Sequence, residues 1–166
     1  MQHAQKFIHL AGAAAAAIAL CSSAVAQTGI SFRLSCHSIG NSPPEPLGDR
    51  EGHALAVGQF TCRTEGGPLD GGVMTGTQIW EYDKTNAVGL SGSGVTRRPG
   101  ATAAYQNTES KLTLTLVDGK VTGFTGSGRG AYTMVTGGAA PLKGKTYSYT
   151  FQTTGPFQFA VDVKVD

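Results

Sequence analysis

Alternation of apolar and polar residues with a period of two recurs along this chain and constrains its fold more than any other feature. Residues 157–166 alternate an apolar residue with a polar or small one, and residues 111–116 and 147–152 do the same. Successive side chains of a β-strand point to opposite faces, so this pattern is typical of strands with one wet face. Helical periodicity is almost absent. The sequence therefore predicts an all-β domain.

Turn signals divide the alternating segments into strands. Asp118-Gly119 is the strongest hairpin signal, and Gly155-Pro156 marks the turn into the last strand. The predicted strands cover residues 30–38, 53–64, 73–83, 88–97, 101–107 and 111–117, a segment from Val121 onward, 147–152 and 157–166. About nine short strands without a long linker indicate a sandwich or barrel, and we expect an antiparallel barrel of about eight to nine strands.

The first 26 residues have the layout of a secretory signal peptide. A mildly basic head precedes an apolar run over residues 7–20, and Ala24-Val25-Ala26 is a small-x-small cleavage site. The run is shorter than the roughly 20 apolar residues of a membrane span. The sequence thus predicts a signal peptide over 1–26 and a β-barrel domain over 27–166. It also predicts a secreted or periplasmic protein without a membrane partner after cleavage.

Two cysteines follow the predicted cleavage site, Cys36 and Cys62. In an exported chain such a pair most simply forms one disulfide. Bridged cysteines must point to the same side. Leu34 shares a strand face with Cys36, and Phe60 shares a strand face with Cys62, so both are expected in the core. The opposite face then carries Arg33, His37, His53, Gln59 and Arg63.

Charge and motifs exclude several classes of function. Once Lys6 leaves with the signal, 12 basic residues stand against 11 acidic ones, a balance that does not suggest a nucleic-acid partner. The chain lacks the Gly-x-Ser-x-Gly and His-Glu-x-x-His motifs of hydrolases. The turn at 68–72 has a single aspartate, too few ligands for calcium. We predict neither a metal nor a cofactor.

Glycine recurs at alternate positions late in the chain, and this pattern carries a resemblance. Alternate glycines leave one strand face bare, which allows a sheet to coil or a ligand or backbone to approach. The run Gly126-Ser127-Gly128-Arg129-Gly130-Ala131-Tyr132, followed by Gly137-Gly138 and the strand at 147–151, resembles the late strands of the allene oxide cyclase and dirigent barrel proteins.

This resemblance, over residues 121–153, implies a small antiparallel barrel with an apolar lumen. It implies that a small, largely apolar molecule binds there, with or without cyclase, isomerase or lyase activity. It also allows for a homo-oligomer, since related barrels often associate. Residues 137–142 depart from the usual Gly-Gly-Thr-Gly-x-Phe run, so no catalytic residue carries over. Residues 48–53, before an apolar strand and a cysteine, also resemble a segment of small secreted bacterial proteins of unknown role.

Ionisable residues near strand ends are the candidates for catalysis. Glu51 and His53 lie where a loop enters a strand, and either could act as general base; the alternative is a solvated loop with local ion pairing. In Trp80-Glu81-Tyr82, either Glu81 or the two aromatic residues point inward. Facing an apolar lumen, Glu81 would be a candidate acid or base; otherwise Trp80 and Tyr82 fill the core or contact a ligand.

Three further residues are candidates for ligand binding. Arg129 is flanked by glycines and has Tyr132 nearby, so it could bind a carboxylate or enolate oxygen, although an exposed strand arginine is the alternative. His37 is the remaining histidine after residue 26. The competing hypothesis for the whole chain is a barrel that is packed solid and acts as a structural or interaction module, with residues 43–46 as its contact segment.

Overall fold

The computed structural model describes residues 29–40 and 43–166, and the predicted signal peptide lies outside them. The described residues form strands joined by tight turns, and none of their helices has the length and apolarity of a membrane span. The strands are β1 (Ser31–Ser38), β2 (Glu45–Pro46), β3 (His53–Glu65), β4 (Val73–Asp83), β5 (Asn86–Arg98), β6 (Ala101–Val117), β7 (Lys120–Gly137), β8 (Thr146–Gly155) and β9 (Gln158–Val165).

Eight of these strands form a closed antiparallel barrel, and β2 is an additional strand outside it. Strands from β3 to β9 pair in chain order, β9 pairs with β1, and β1 pairs with β3 to close the sheet. The two residues of β2 pair with Ala54 and Leu55 of β3. The predicted antiparallel barrel is confirmed. Closure pairs the two edges that an open sheet would expose.

The sequence pattern predicts two strands where the structure has one continuous strand. Separate strands were expected at 101–107 and 111–117, but β6 runs without a break through both. Its register with β7 shifts between Asn107 and Glu109. Tyr105 before the shift and Ser110 after it are both buried, so the alternation changes phase there. An irregularity of this kind bends a strand without ending it, which explains the misplaced boundary.

Two tight turns agree with their sequence signals. Asp118 and Gly119 have φ angles of 50° and 72° and join the paired residues Val117 and Lys120. Positive φ at both central residues is the mark of the hairpin turn that Asp-Gly favours. The turn after Gly155 also forms as predicted. It includes Phe157, with φ of 58°, so this residue lies before β9 and not within the last strand as expected.

A disulfide joins β1 to β3, the pair of strands that closes the barrel. Cys36 and Cys62 lie directly opposite each other with their Cα atoms 4.0 Å apart. Leu34 lies on the inner face beside Cys36, and Phe60 packs against the same buried cluster. The predicted pairing and the predicted inner faces are therefore confirmed.

Connections at one end of the barrel fold inward and close it. Two short 3-10 helices, Gly67–Leu69 and Ala140–Leu142, contact each other there. Their residues Leu69 and Leu142 are 2% and 0% exposed. The hairpin turns at 84–85, 118–119 and 156–157, together with the connection from β1 to β3, lie at the opposite end. The barrel thus has a closed end and a loop-lined end.

Candidate functional site

A cavity of about 310 Å³ occupies the lumen of the barrel. Side chains from all eight barrel strands line it. At the loop-lined end its wall includes Ile39, Val57 and Phe157, which are 49%, 46% and 64% exposed, so this end is the mouth. A volume of this size is typical of small-molecule sites. The lumen therefore contains open volume beside its packed side chains.

Aromatic residues are the most frequent class in the cavity wall. Every tryptophan, tyrosine and phenylalanine that the structure describes lines the cavity. They are Trp80, Tyr82, Tyr105, Tyr132, Tyr147, Tyr149, Phe32, Phe60, Phe124, Phe151, Phe157 and Phe159. Neighbouring rings pack tightly: the ring centroids of Tyr132 and Tyr147 are 5.1 Å apart, and those of Phe124 and Phe151 are 5.9 Å apart. These separations are those of favourable aromatic pairs.

The alternate glycines of β7 make room for the rings of β8. A Cβ atom at Gly126 would overlap the ring of Phe151, so that ring occupies the space which a side chain would need. Such ring-over-glycine pairing is a known way to stabilise glycine in a sheet. Three pairs repeat along the two strands: Gly126 with Phe151, Gly128 with Tyr149, and Gly130 with Tyr147.

Hydrogen bonds connect several polar side chains in the wall or directly beside it. Tyr147 Oη donates to Asn107 Oδ1 over 2.8 Å, and Asn107 Nδ2 donates to Gln78 Oε1 over 2.9 Å. The hydroxyls of Ser110 and Tyr149 are 2.6 Å apart. Gln78 and Ser110 are only 5% and 3% exposed. These bonds compensate for the burial of polar groups in an apolar lumen.

Tyr105 differs from its neighbours because its buried hydroxyl has no hydrogen-bond partner among the described residues. The residue is 8% exposed and lines the cavity. Burial raises the pKa of the Tyr105 phenol well above its usual value, and it does the same for Tyr132 and Tyr147. These hydroxyls therefore stay protonated at neutral pH and can donate hydrogen bonds.

The cavity wall is uncharged. Within residues 29–40 and 43–166, no aspartate, glutamate, lysine, arginine or histidine lines it. A charged molecule that entered the lumen would lose its hydration without gaining an ion pair, which costs several kcal/mol. The wall is therefore suited to a neutral guest.

The predicted ligand-binding residues divide between the lumen and the outside. Trp80, Tyr82 and Tyr132 lie in the cavity wall. His37 and Arg129 are exposed and do not line the cavity. Since the two aromatic residues of Trp80-Glu81-Tyr82 point inward, alternation places Glu81 on the outer face. The alternative in which Glu81 faces the lumen does not occur.

The candidate catalytic residues lie outside the barrel, where two of them meet. His53 Nε2 is 2.8 Å from Glu81 Oε1, and His53 Nδ1 is 2.5 Å from Asp49 Oδ1. The hydrogen bond with Asp49, and then that with Glu81, raises the pKa of His53. Both ring nitrogens are engaged by carboxylates, so neither is free to accept a proton from a substrate. Glu51 is exposed in the same loop, and the cluster matches the local ion pairing that the sequence allowed.

None of the candidate residues predicted from the sequence is Gln78, Tyr105 or Asn107. A signal existed for the first two, because Gln78 is in phase with the inward-facing Trp80, and Tyr105 is in phase with the buried Ala103. Asn107 precedes the register shift in β6, where the pattern gave no reliable phase.

Comparisons with known protein families, with curated protein sequences and with solved structures gave no match to this chain. The resemblance to the allene oxide cyclase and dirigent barrels stays an expectation based on residues 121–153.

Proposed function

We propose that this protein is an exported barrel that binds a small, largely apolar molecule in its lumen. The observation that carries the proposal is the aromatic cavity of about 310 Å³, open at one end of the barrel. Small-molecule sites are typically concave, mostly apolar and provided with a few placed polar groups, as this lumen is. A barrel packed solid would leave no such volume.

Binding is favoured over catalysis by the position of the ionisable groups. His53 and Glu81 are bonded to each other outside the barrel, and Glu51 is exposed. The described wall offers only neutral hydrogen-bonding groups, among them tyrosine phenols whose pKa burial raises. Such groups can orient a guest, but at neutral pH they are poor proton acceptors. The lumen therefore supports a carrier or binding role best.

The expected affinity follows from the size of the guest. Drug-sized and smaller ligands gain about 0.3–0.5 kcal/mol per non-hydrogen atom in a good site. For a substituted naphthalene this corresponds to a dissociation constant between about 10 μM and about 1 mM. The flat ring system matches a wall built from rings, which favour offset stacked or edge-on contacts.

The proposal is tested by filling the lumen. We expect 2-isopropenylnaphthalene, a neutral and almost wholly apolar probe, to bind the exported protein in equilibrium dialysis. Ala56 lines the cavity, so Ala56→Trp should abolish binding by occupying the space. Thr77 is exposed and does not line the cavity, so Thr77→Trp is the matched control and should bind like the wild type. Equal binding by both variants would show that the probe sits elsewhere and would refute the proposal.

A further inference from the structure

Phe157 lines the lumen at the mouth and has a backbone conformation that phenylalanine rarely adopts. Its φ angle is 58°, in the left-handed region. There the Cβ atom crowds the main chain, so a positive φ is an outlier for a bulky side chain. Such strained residues persist where the surrounding structure holds them, and they cluster at binding sites.

The geometry of the turn favours a different residue at this position. Gly155 pairs with Gln158, so Pro156 and Phe157 are the two central residues of the turn. Proline followed by a residue of positive φ is the pattern of a type II turn, whose second central position favours glycine. Glycine would form this turn without strain. The turn by itself therefore does not account for a phenylalanine here.

The ring of Phe157 is available to a guest. The residue is mostly exposed, and its main-chain oxygen accepts a hydrogen bond from Ser38 N over 2.9 Å, which ties the turn to β1. The nearby Phe159 pairs with Phe60 and Phe124 at centroid distances of 5.8 and 5.7 Å. No aromatic pair in the part of the chain that the structure describes includes Phe157. An unpaired ring is thus held at the mouth.

We infer that Phe157 is a guest-binding residue that covers the bound molecule at the mouth and slows its release. The ring offers neither a hydrogen-bonding group nor a charge, so the part of the guest that meets it is apolar. Contact with the guest removes exposed apolar surface of the ring from water, which favours the bound state. This inference rests on the proposed function and adds to it the residue that controls the residence time of the guest.

Phe157→Gly is the deciding variant, and Asp118→Gly is its matched control. Both replace a turn residue of positive φ, 58° and 50°, by glycine at the loop-lined end, but Asp118 does not line the lumen. Stopped-flow naphthalene fluorescence follows the release of 2-isopropenylnaphthalene from the full protein. Phe157→Gly should raise the dissociation rate constant and the dissociation constant about three- to tenfold. Asp118→Gly should release the probe like the wild type.

The melting temperature separates a binding role of the ring from a structural one. Glycine adopts a positive φ without strain, so neither glycine variant should melt more than about 2 °C below the wild type. Phe157→Tyr keeps an aromatic ring at the mouth. It should therefore release the probe within about twofold of the wild-type rate.

The outcomes distinguish the inference from the function on which it rests. If Phe157→Gly releases the probe as slowly as the wild type, the inference is overturned while the binding function stands. It is also overturned if Asp118→Gly accelerates release equally, or if Phe157→Gly melts below the stated limit, because the ring then acts through the fold. If the wild type does not bind the probe, the proposed function fails and the inference fails with it.

Discussion

His53 is held on the outside of the barrel by hydrogen bonds to two carboxylates. Its two ring nitrogens contact carboxylate oxygens, those of Asp49 on one side and Glu81 on the other. A protonated imidazole donates to both carboxylates, whereas a neutral one can donate to only one. The protonated form is therefore favoured, which raises the pKa of His53 and lowers that of Asp49.

This contact predicts a pH dependence of the free energy of unfolding. Because the pKa of His53 is higher in the folded state than its ordinary value of 6.5, the stabilisation is fully present below pH 6.5 and is lost as the pH rises through the folded-state pKa. The pKa of Asp49 lies below 3.8, so its contribution is present above that pH and is lost in acid. The contact therefore stabilises most between these limits.

Urea unfolding of the wild type and of His53→Gln over a series of pH values measures this effect. The wild type should lose stability as the pH rises above 6.5, and His53→Gln should lack that loss. His37→Gln, at an exposed site on the outer face, is the control and should keep the wild-type profile. A variant at His53 that retains the full pH-dependent loss would contradict the assignment.

Only part of this cluster could be predicted from the sequence. Asp49 and His53 are four residues apart at the start of a strand, so local ion pairing there was foreseeable. Glu81 joins them because Leu55 pairs with Glu81 across β3 and β4, which brings His53 and Glu81 onto neighbouring positions of one face. That register depends on pairing between segments distant in sequence, and local patterns do not specify it.

At the scale of elements, the pairing of β7 with β8 depends on residues of complementary size. Each of three alternate glycines in β7 lies opposite an aromatic residue in β8. The alternate spacing of the glycines is visible in the sequence. Their packing role could not be predicted from it, because the rings that cover them come from another strand. In the structure each of these glycines leaves room for an aromatic ring of β8, which occupies the space that a side chain would need.

Gly126→Ala should therefore destabilise the protein by about 1–3 kcal/mol. The new Cβ would overlap both the ring of Phe151 and the main-chain oxygen of Lys111, so a side-chain movement alone cannot relieve it. Urea unfolding measures the change. Ser127→Ala, on the exposed face of the same strand, should stay within about 0.5 kcal/mol of the wild type. Similar stabilities for the two variants would rule out this packing role.

At the scale of the whole molecule, the disulfide lies where the barrel closes. β1 contacts β3 on one side and β9 on the other, so it joins the start of the sheet to its end. Cys36 and Cys62 link β1 to β3 over a sequence separation of 26 residues. A cross-link of this span restricts the unfolded chain and stabilises the native state by about 3 kcal/mol in the chain-entropy description.

Replacement of both cysteines should lower the free energy of unfolding by about 2–4 kcal/mol. The double variant Cys36→Ala/Cys62→Ala is compared with the wild type by urea unfolding, with and without a reducing agent. The reducing agent should destabilise the wild type and leave the double variant unchanged. If the wild type is equally stable in both conditions, the disulfide does not contribute as proposed.

The sequence by itself determined the all-β class, two of the turns and the cysteine pair, and it narrowed the architecture to a sandwich or barrel. These features follow from short-range signals, because side-chain alternation and turn preference act within a few residues along the chain. Only the tertiary structure decided that Trp80 and Tyr82 point into an open lumen, that Glu81 meets His53 outside it, and that the buried Tyr105 hydroxyl has no hydrogen-bond partner among the described residues. The physical reason is that closure of the barrel and the register between distant strands decide which side chains meet, and neither is encoded in a local pattern.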